Sequence, residues 1–214
     1  MQEALLKDNL ARKAAGEPTV NRLLLVEHPP VYTLGKSGKM EHVLIGDQDR
    51  EEKGIAFFQT NRGGDITFHG PGQLVGYPIL DLEHFGTDLG KYLRRIEETV
   101  IQSIGEYGLV GDRSAGETGV WLDPQIRGRE RKICAIGIRC SRWITMHGFA
   151  LNVNTDLDYF THIVPCGIAQ KAVTSVSQEK GEIIDMEEIK RIIVLKFADI
   201  FNVEFKVEAD LVSV

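Results

Sequence analysis

Cysteine is scarce in this 214-residue chain, and long apolar runs are missing altogether. The three cysteines, Cys134, Cys140 and Cys166, are an odd number without paired spacing. That argues against a disulfide scaffold and for a reducing compartment, so a cytoplasmic protein is expected. The apolar run at residues 192–195 falls far short of the roughly 18 residues a membrane span needs, so no membrane partner is expected. The N-terminus, Met1-Gln-Glu-Ala-Leu-Leu-Lys-Asp, reads as helix and not as a secretory signal. Neither C-x-x-C nor H-E-x-x-H occurs, and the six histidines lack metal-ligand spacing; no metal is expected. The phosphate loop G-x-x-x-x-G-K-[ST] and the dinucleotide pattern G-x-G-x-x-G are absent too. A net charge of -6 argues against nucleic acid as the main partner.

What is present suits one ordinary domain over residues 1–214: 43% apolar and 26% charged residues, with length enough for a real core. Leu6, Leu10 and Ala14 recur at helical spacing over residues 3–15, closed by Gly16 and Pro18. Short strands are predicted at 23–26, 31–34 and 55–58, with loop between the last two at 36–54. Residues 74–82 read as a strand in which Pro78 suggests an edge or a bulge. Thr87 is placed to cap a helix whose Leu89, Leu93, Ile96, Val100, Ile104 and Tyr107 share a face. Strands at 119–122, 133–140 and 144–153 precede a loop at 156–167. A last helix carries Met186, Ile189, Ile193, Phe197 and Ile200, and Val203, Phe205 and Val207 alternate in a closing strand. Strands outnumber helices without strict alternation, which predicts an α+β fold with a mixed sheet flanked by helices.

Chemistry concentrates in three places. Cys166 lies between Pro165 and Gly167, where a regular helix or strand is unfavourable and the thiol can sit at a pocket edge. The segment Arg62-Gly-Gly-Asp-Ile-Thr-Phe-His-Gly-Pro-Gly-Gln73 is richer in Gly and Pro than a turn requires. It reads either as a glycine-rich hairpin or as one wall of a ligand pocket. Lys132 opens an apolar strand, and a period of two puts it on one face with Cys134, Ile136 and Ile138. A lysine there either begins the strand at the surface or is desolvated enough to act as a base. Cys134 and Cys140 read as core. As partner for Cys166 the residues alone favour a histidine, His69, His147 or His162, ahead of Lys132, because Cys–His is the commoner way to activate a thiolate. Two basic stretches, Arg127 to Lys132 and Lys91 to Arg95, read as solvated surface or as a patch for an acidic partner.

Five segments together resemble the lipoyl(octanoyl) transferase family. They are Glu27-His-Pro-Pro-Val-Tyr-Thr-Leu-Gly35, the glycine-rich segment 62–73, Lys132-Ile-Cys-Ala-Ile-Gly137, His147-Gly-Phe-Ala-Leu-Asn-Val153 and Pro165-Cys-Gly-Ile168. The resemblance spans about residues 3–180 and implies a biotin/lipoyl protein ligase-like fold. It also implies a Cys–Lys pair, in which Cys166 carries an octanoyl thioester and Lys132 activates the thiol and moves protons. The acyl pocket would be lined by Arg62, Gly63, Gly64, Asp65, Ile66, Thr67, Phe68 and His69. Ala135, Ile136 and Gly137, with Gly148, Phe149 and Ala150, would complete it. The implied donor is octanoyl-acyl carrier protein. The implied acceptors are lipoyl domains of 2-oxoacid dehydrogenase E2 subunits and the glycine cleavage H protein. No cofactor is implied, and a monomer is expected. The family pattern has a strand before the first helix that this sequence does not show. Three other readings compete: an ATP-dependent lipoate or biotin ligase, which needs no nucleophilic cysteine; octanoyl transfer between lipoyl domains; and a non-catalytic acyl-binding protein.

Overall fold

The structure, a computed structural model, describes residues 1–164 and 172–206. A helix α1 (Gln2–Ala15) leads into strands β1 (Arg22–Val26) and β2 (Val31–Leu34). A short helix α2 (Asp47–Glu52) precedes β3 (Ala56–Gln59), β4 (Ile66–His69) and β5 (Gln73–Ile79). The long helix α3 (Leu89–Gly105) is followed by β6 (Gly111–Asp112), β7 (Val120–Leu122), β8 (Arg131–Ser141) and β9 (Ile144–Asn152). β10 (Ala172–Val173), α4 (Val176–Lys180) and α5 (Met186–Phe201) complete the described chain.

Two sheets result. The larger runs β1-β5-β9-β8-β7-β6, with β10 added in parallel to β8; the smaller runs β3-β2-β4. Both mix parallel and antiparallel pairs, since β2 lies parallel to β3 and antiparallel to β4. The main core lies between the large sheet and the pair α3 and α5, where Ile96, Val100, Ile104, Ile189, Ile193 and Phe197 are buried. Their steps of three and four give each helix one apolar face. Helix α1 packs Leu6 against Ile79, Ile144 and Met146. The small sheet has its own core, with Tyr32 and Phe68 against Phe160. The expected α+β architecture with a mixed sheet and flanking helices is therefore the one observed.

Several local expectations are corrected. Asp88 rather than Thr87 caps α3, its carboxylate accepting from the Lys91 amide at 3.0 Å. Residues 36–54 are not plain loop, since they contain α2 and a 3-10 turn at Met40–His42. The predicted loop at 156–167 holds a 3-10 turn at Leu157–His162. Residues 203–206 form no strand, and Val207 lies outside the described residues. Pro78 is on no edge: β5 sits between β1 and β9. The proline is tolerated because the β5–β9 ladder breaks off after Gly76↔Phe149 and is taken up again where the Thr145 amide donates to Leu80. In the gap His147 adopts a left-handed φ of 60°, and its amide donates to the Gln2 side chain of α1 at 2.8 Å instead of to the sheet.

Candidate active site

A cavity of about 390 Å³ lies between the two sheets, within the range usual for small-molecule sites. Its wall on the large sheet comes from alternate positions of three neighbouring strands. Gln73, Val75 and Tyr77 of β5 face it, then Gly148, Ala150 and Asn152 of β9, then Ala135 and Gly137 of β8. The opposite wall is Val31 and Thr33 of β2 with Thr67 and His69 of β4, whose registers pair Val31 with His69 and Thr33 with Thr67. Small residues make the close approach possible. A Cβ on Gly148 would fall 2.1 Å from the Gly76 carbonyl oxygen, and one on Gly137 would fall 2.7 Å from that of Gly63.

Lys132 lines this cavity for a reason that strict alternation does not provide. β7 pairs Val120 with Cys134 but Trp121 with Lys132, so β8 carries one extra residue and the register shifts. This bulge leaves Ile133 and Cys134 both buried in the main core, while Lys132 and Ala135 line the cavity. The expected face of Lys132, Cys134, Ile136 and Ile138 is thereby corrected: Lys132 leaves it, and the other three pack into or against the main core. Its ammonium lies 4.6 Å from the centre of the Trp121 ring, a cation–π contact on a buried indole. Gly119, at φ 131°, lets the loop before β7 come close: a Cβ there would stand 2.6 Å from the Cys134 oxygen. The Gly119 amide donates to the fully buried carboxylate of Glu97, which also pairs with Arg94 and Arg113.

A hydrogen-bonded row joins the glycine-rich segment to Lys132. His69 Nδ1 bonds Gln73 Oε1 at 2.8 Å, Gln73 Nε2 donates to Asn152 Oδ1 at 2.9 Å, and Asn152 Nδ2 donates to the Thr174 carbonyl at 3.0 Å. The Thr174 amide in turn donates to the Lys132 carbonyl at 2.9 Å. Because Gln73 offers His69 its oxygen, His69 carries its proton on Nδ1, and Nε2 is the acceptor that meets the Thr33 hydroxyl at 3.5 Å. Arg62 is buried and crosses to β2, donating to the carbonyl and hydroxyl of Thr33. Asp65 is held by His42 Nδ1 at 2.5 Å. The backbone of His42 also receives the Val164 amide, tying residues 162–164 to the same corner.

Burial pushes His69 down to about 3, and the positive field of Arg62 adds to it against the hydrogen bond that His69 donates to Gln73. Burial first and Arg62 second push His147 down to about 4. Both fall from an ordinary value of 6.5, so the folded protein keeps them neutral while the unfolded chain protonates them below that value. Their contribution to stability is complete above pH 6.5 and is lost as the pH falls through 6.5 toward 4 and 3. The melting temperature is expected to fall over that window with a shallower slope in His69→Gln than in wild type. Parallel slopes would contradict it.

Of the residues singled out in sequence, Arg62, Gly64, Asp65, Ile66, Thr67, His69, Lys132, Ala135, Ile136, Gly137, Gly148, Phe149 and Ala150 border the cavity. Gly63 and Phe68 do not: the Gly63 amide donates to Ile138, and the Phe68 ring stacks on Tyr159 at 4.4 Å in the small-sheet core. Of the three candidate histidines His69 and His147 line the cavity, and His162 is not among its lining residues. Cys166 lies outside the described residues, between Val164 and Ala172; on the far side of it Val173 lines the cavity and pairs with Lys132. Thr33, Tyr77, Asn152 and Trp121 were not assigned to the site from sequence, whereas Gln73 closes the segment read as a possible pocket wall. Tyr77 follows from alternation once Gln73 and Val75 are placed. The basic stretches are largely engaged: Arg131 pairs with Glu179 and Asp123, Arg129 with Asp123, Lys91 with Asp88 and Arg94 with Glu97. Arg95 lies over the Phe201 ring. Among the described residues no group of acids, histidines and cysteines could hold a metal, and no helix is long and apolar enough to cross a membrane.

This architecture is shared with known proteins. Residues 1–198 match the family model described as the lipoyl protein ligase A/B catalytic domain, and the chain belongs to that family. A protein of Christiangramia forsetii named octanoyltransferase is 55% identical over 94% of this chain and 86% of its own length. Octanoyltransferases of Flavobacterium johnsoniae and Parabacteroides distasonis are 56% and 50% identical, over 93% and 94% of the chain and 86% and 90% of their own lengths. The chain is thus an enzyme, a transferase of this family. A putative lipoate protein ligase from T. acidophilum superposes with a TM-score of 0.73 at 17% identity, covering 97% of this chain and 82% of that one. A lipoate-protein ligase A bound with ATP gives 0.72 at 16%, covering 95% and 82%. These structures show the same fold.

Proposed function

We propose that the chain is one catalytic domain that moves an octanoyl group from octanoyl-acyl carrier protein to a lysine of a lipoyl domain, in the cytoplasm and through a thioester on Cys166. The observation that carries this is Lys132, turned by a β-bulge into an otherwise largely apolar cavity and paired through the backbone with Val173, close in sequence to Cys166. The relatives' name agrees with it.

The chemistry balances with these two groups. Cys166 passes its proton to Lys132, leaving an ammonium, the species that sits over Trp121, beside a thiolate. The thiolate attacks the donor thioester, the carbonyl re-forms, and the departing pantetheine sulfur takes the proton from Lys132, which returns to the amine. In the second half the acceptor amine attacks the Cys166 thioester. Lys132 removes a proton from that amine and returns it to the departing Cys166 sulfur. Splitting one transfer into thioester exchange and aminolysis makes both steps easier. Arg62, Thr67 and His69 on one wall, with Ala135, Gly137, Gly148 and Ala150 on the other, would hold the chain. Lipoyl domains of E2 subunits and the H protein are the acceptors this implies.

Transfer to a lipoyl domain is expected from octanoyl-carrier protein alone, read as a gain of one octanoyl mass on the acceptor lysine, at the same rate with and without ATP. Transfer only from free octanoate with ATP would establish the ligase reading instead.

A further inference from the structure

The cavity's large-sheet wall is graduated. Strand register sets its side chains in three successive rows, each two residues further along, hence about 6.7 Å apart. The first row is polar, Gln73 and Asn152, and reaches Lys132 through Thr174. The second is Val75, Ala150 and Ala135, which the pairs Val75↔Ala150 and Ala135↔Ala150 place side by side. The third has the glycine pair Gly137↔Gly148, beside which Tyr77 follows Val75 on β5. The Tyr77 hydroxyl is tied to His28 Nε2 at 2.6 Å, and both residues line the cavity. Burial holds His28 below its ordinary value and raises Tyr77 to about 12, so the pair stays neutral beside an apolar chain.

We infer that Tyr77, held by His28, is the stop that sets the length of the acyl chain; this rests on the acyl-transfer reading above. From the first row to the third is about 13 Å. Subtracting a contact distance of about 4 Å for the methyl against the ring leaves about 9 Å. An extended chain advances about 1.2 Å per bond, so the seven bonds of an octanoyl chain cover about 8 to 9 Å. A decanoyl chain overruns the stop by about 2 Å on the same scale. The ring of Tyr77, not the glycines, is the adjustable part: a Cβ on Gly148 or Gly137 would meet backbone oxygens.

The test compares carrier-protein donors loaded with hexanoyl, octanoyl, decanoyl and dodecanoyl chains, reading kcat/KM for transfer to a lipoyl domain. Wild type is expected to peak at octanoyl. Tyr77→Ala is expected to raise the decanoyl-to-octanoyl ratio about tenfold, roughly what burying two further methylenes is worth. Tyr77→Phe, which keeps the ring, should retain the octanoyl optimum. Ala150→Leu, which fills the second row, should move the optimum to hexanoyl, and it carries the test should Tyr77→Ala not fold. Ratios unchanged from wild type in a folded Tyr77→Ala, or in Ala150→Leu where Tyr77→Ala does not fold, would overturn the inference. No transfer from any donor by wild type would overturn the acyl-transfer reading, and this one with it.

Discussion

Cys166→Ala is expected to lower octanoyl transfer by more than about 10⁴-fold, because the intermediate has no other atom to form on. The fall should be in kcat, with the donor KM little changed, since the cavity walls stay intact. Direct attack of the acceptor amine on the donor thioester would remain as a small residual rate. Steady-state kinetics with saturating carrier protein checks this. A variant retaining more than a tenth of the wild-type kcat would show that the thiol is not the nucleophile.

Lys132→Ala is expected to cost about 10² to 10⁴ in kcat, the usual worth of a positioned proton carrier. Lys132→Arg should not rescue it. A guanidinium still supplies positive charge near the sulfur, but it does not give up a proton at working pH, so the second half-reaction loses its base. The two variants separate the two duties. If Arg restores formation of the acyl-enzyme but not its transfer, Lys132 acts as field and base in different steps. Full activity in Lys132→Arg would mean that only charge matters. The Trp121 ring 4.6 Å from the ammonium favours a fixed position for this side chain and not a solvated one.

Much of this was legible in the sequence where one rule acted alone. The apolar faces of α3 and α5 follow from steps of three and four, and both helices pack as those steps require. The cavity was foreshadowed by the glycines of segments 62–73, 132–137 and 147–153, which allow backbone to approach backbone. Where two rules competed, sequence reading failed. Alternation put Lys132 with Cys134, but a bulge set by pairing with β7 overrides it, and no residue near Lys132 announces a bulge. Pro78 suggested an edge or a bulge because proline removes a sheet donor. The structure keeps it central by breaking the ladder at His147, a residue with no turn signature, whose amide donates instead to Gln2 in a distant helix. The basic stretch near Lys132 read as solvated surface or as a patch for an acidic partner, and its Arg131 is tied to Glu179, far along the chain. His69 was one of three histidines offered as partner to the thiol; its Nδ1 bonds Gln73 and burial keeps it neutral, and Cys166 itself lies outside the described residues.

The central claim is a thioester on Cys166. Wild type mixed with octanoyl-carrier protein, without acceptor and without ATP, should gain one octanoyl mass within the first turnover. Peptide mapping should place it on the fragment containing Cys166, and neutral hydroxylamine should remove it, as it removes thioesters but not amides. An octanoyl group found only on lysine, or no adduct on a folded protein that still transfers, would contradict the account.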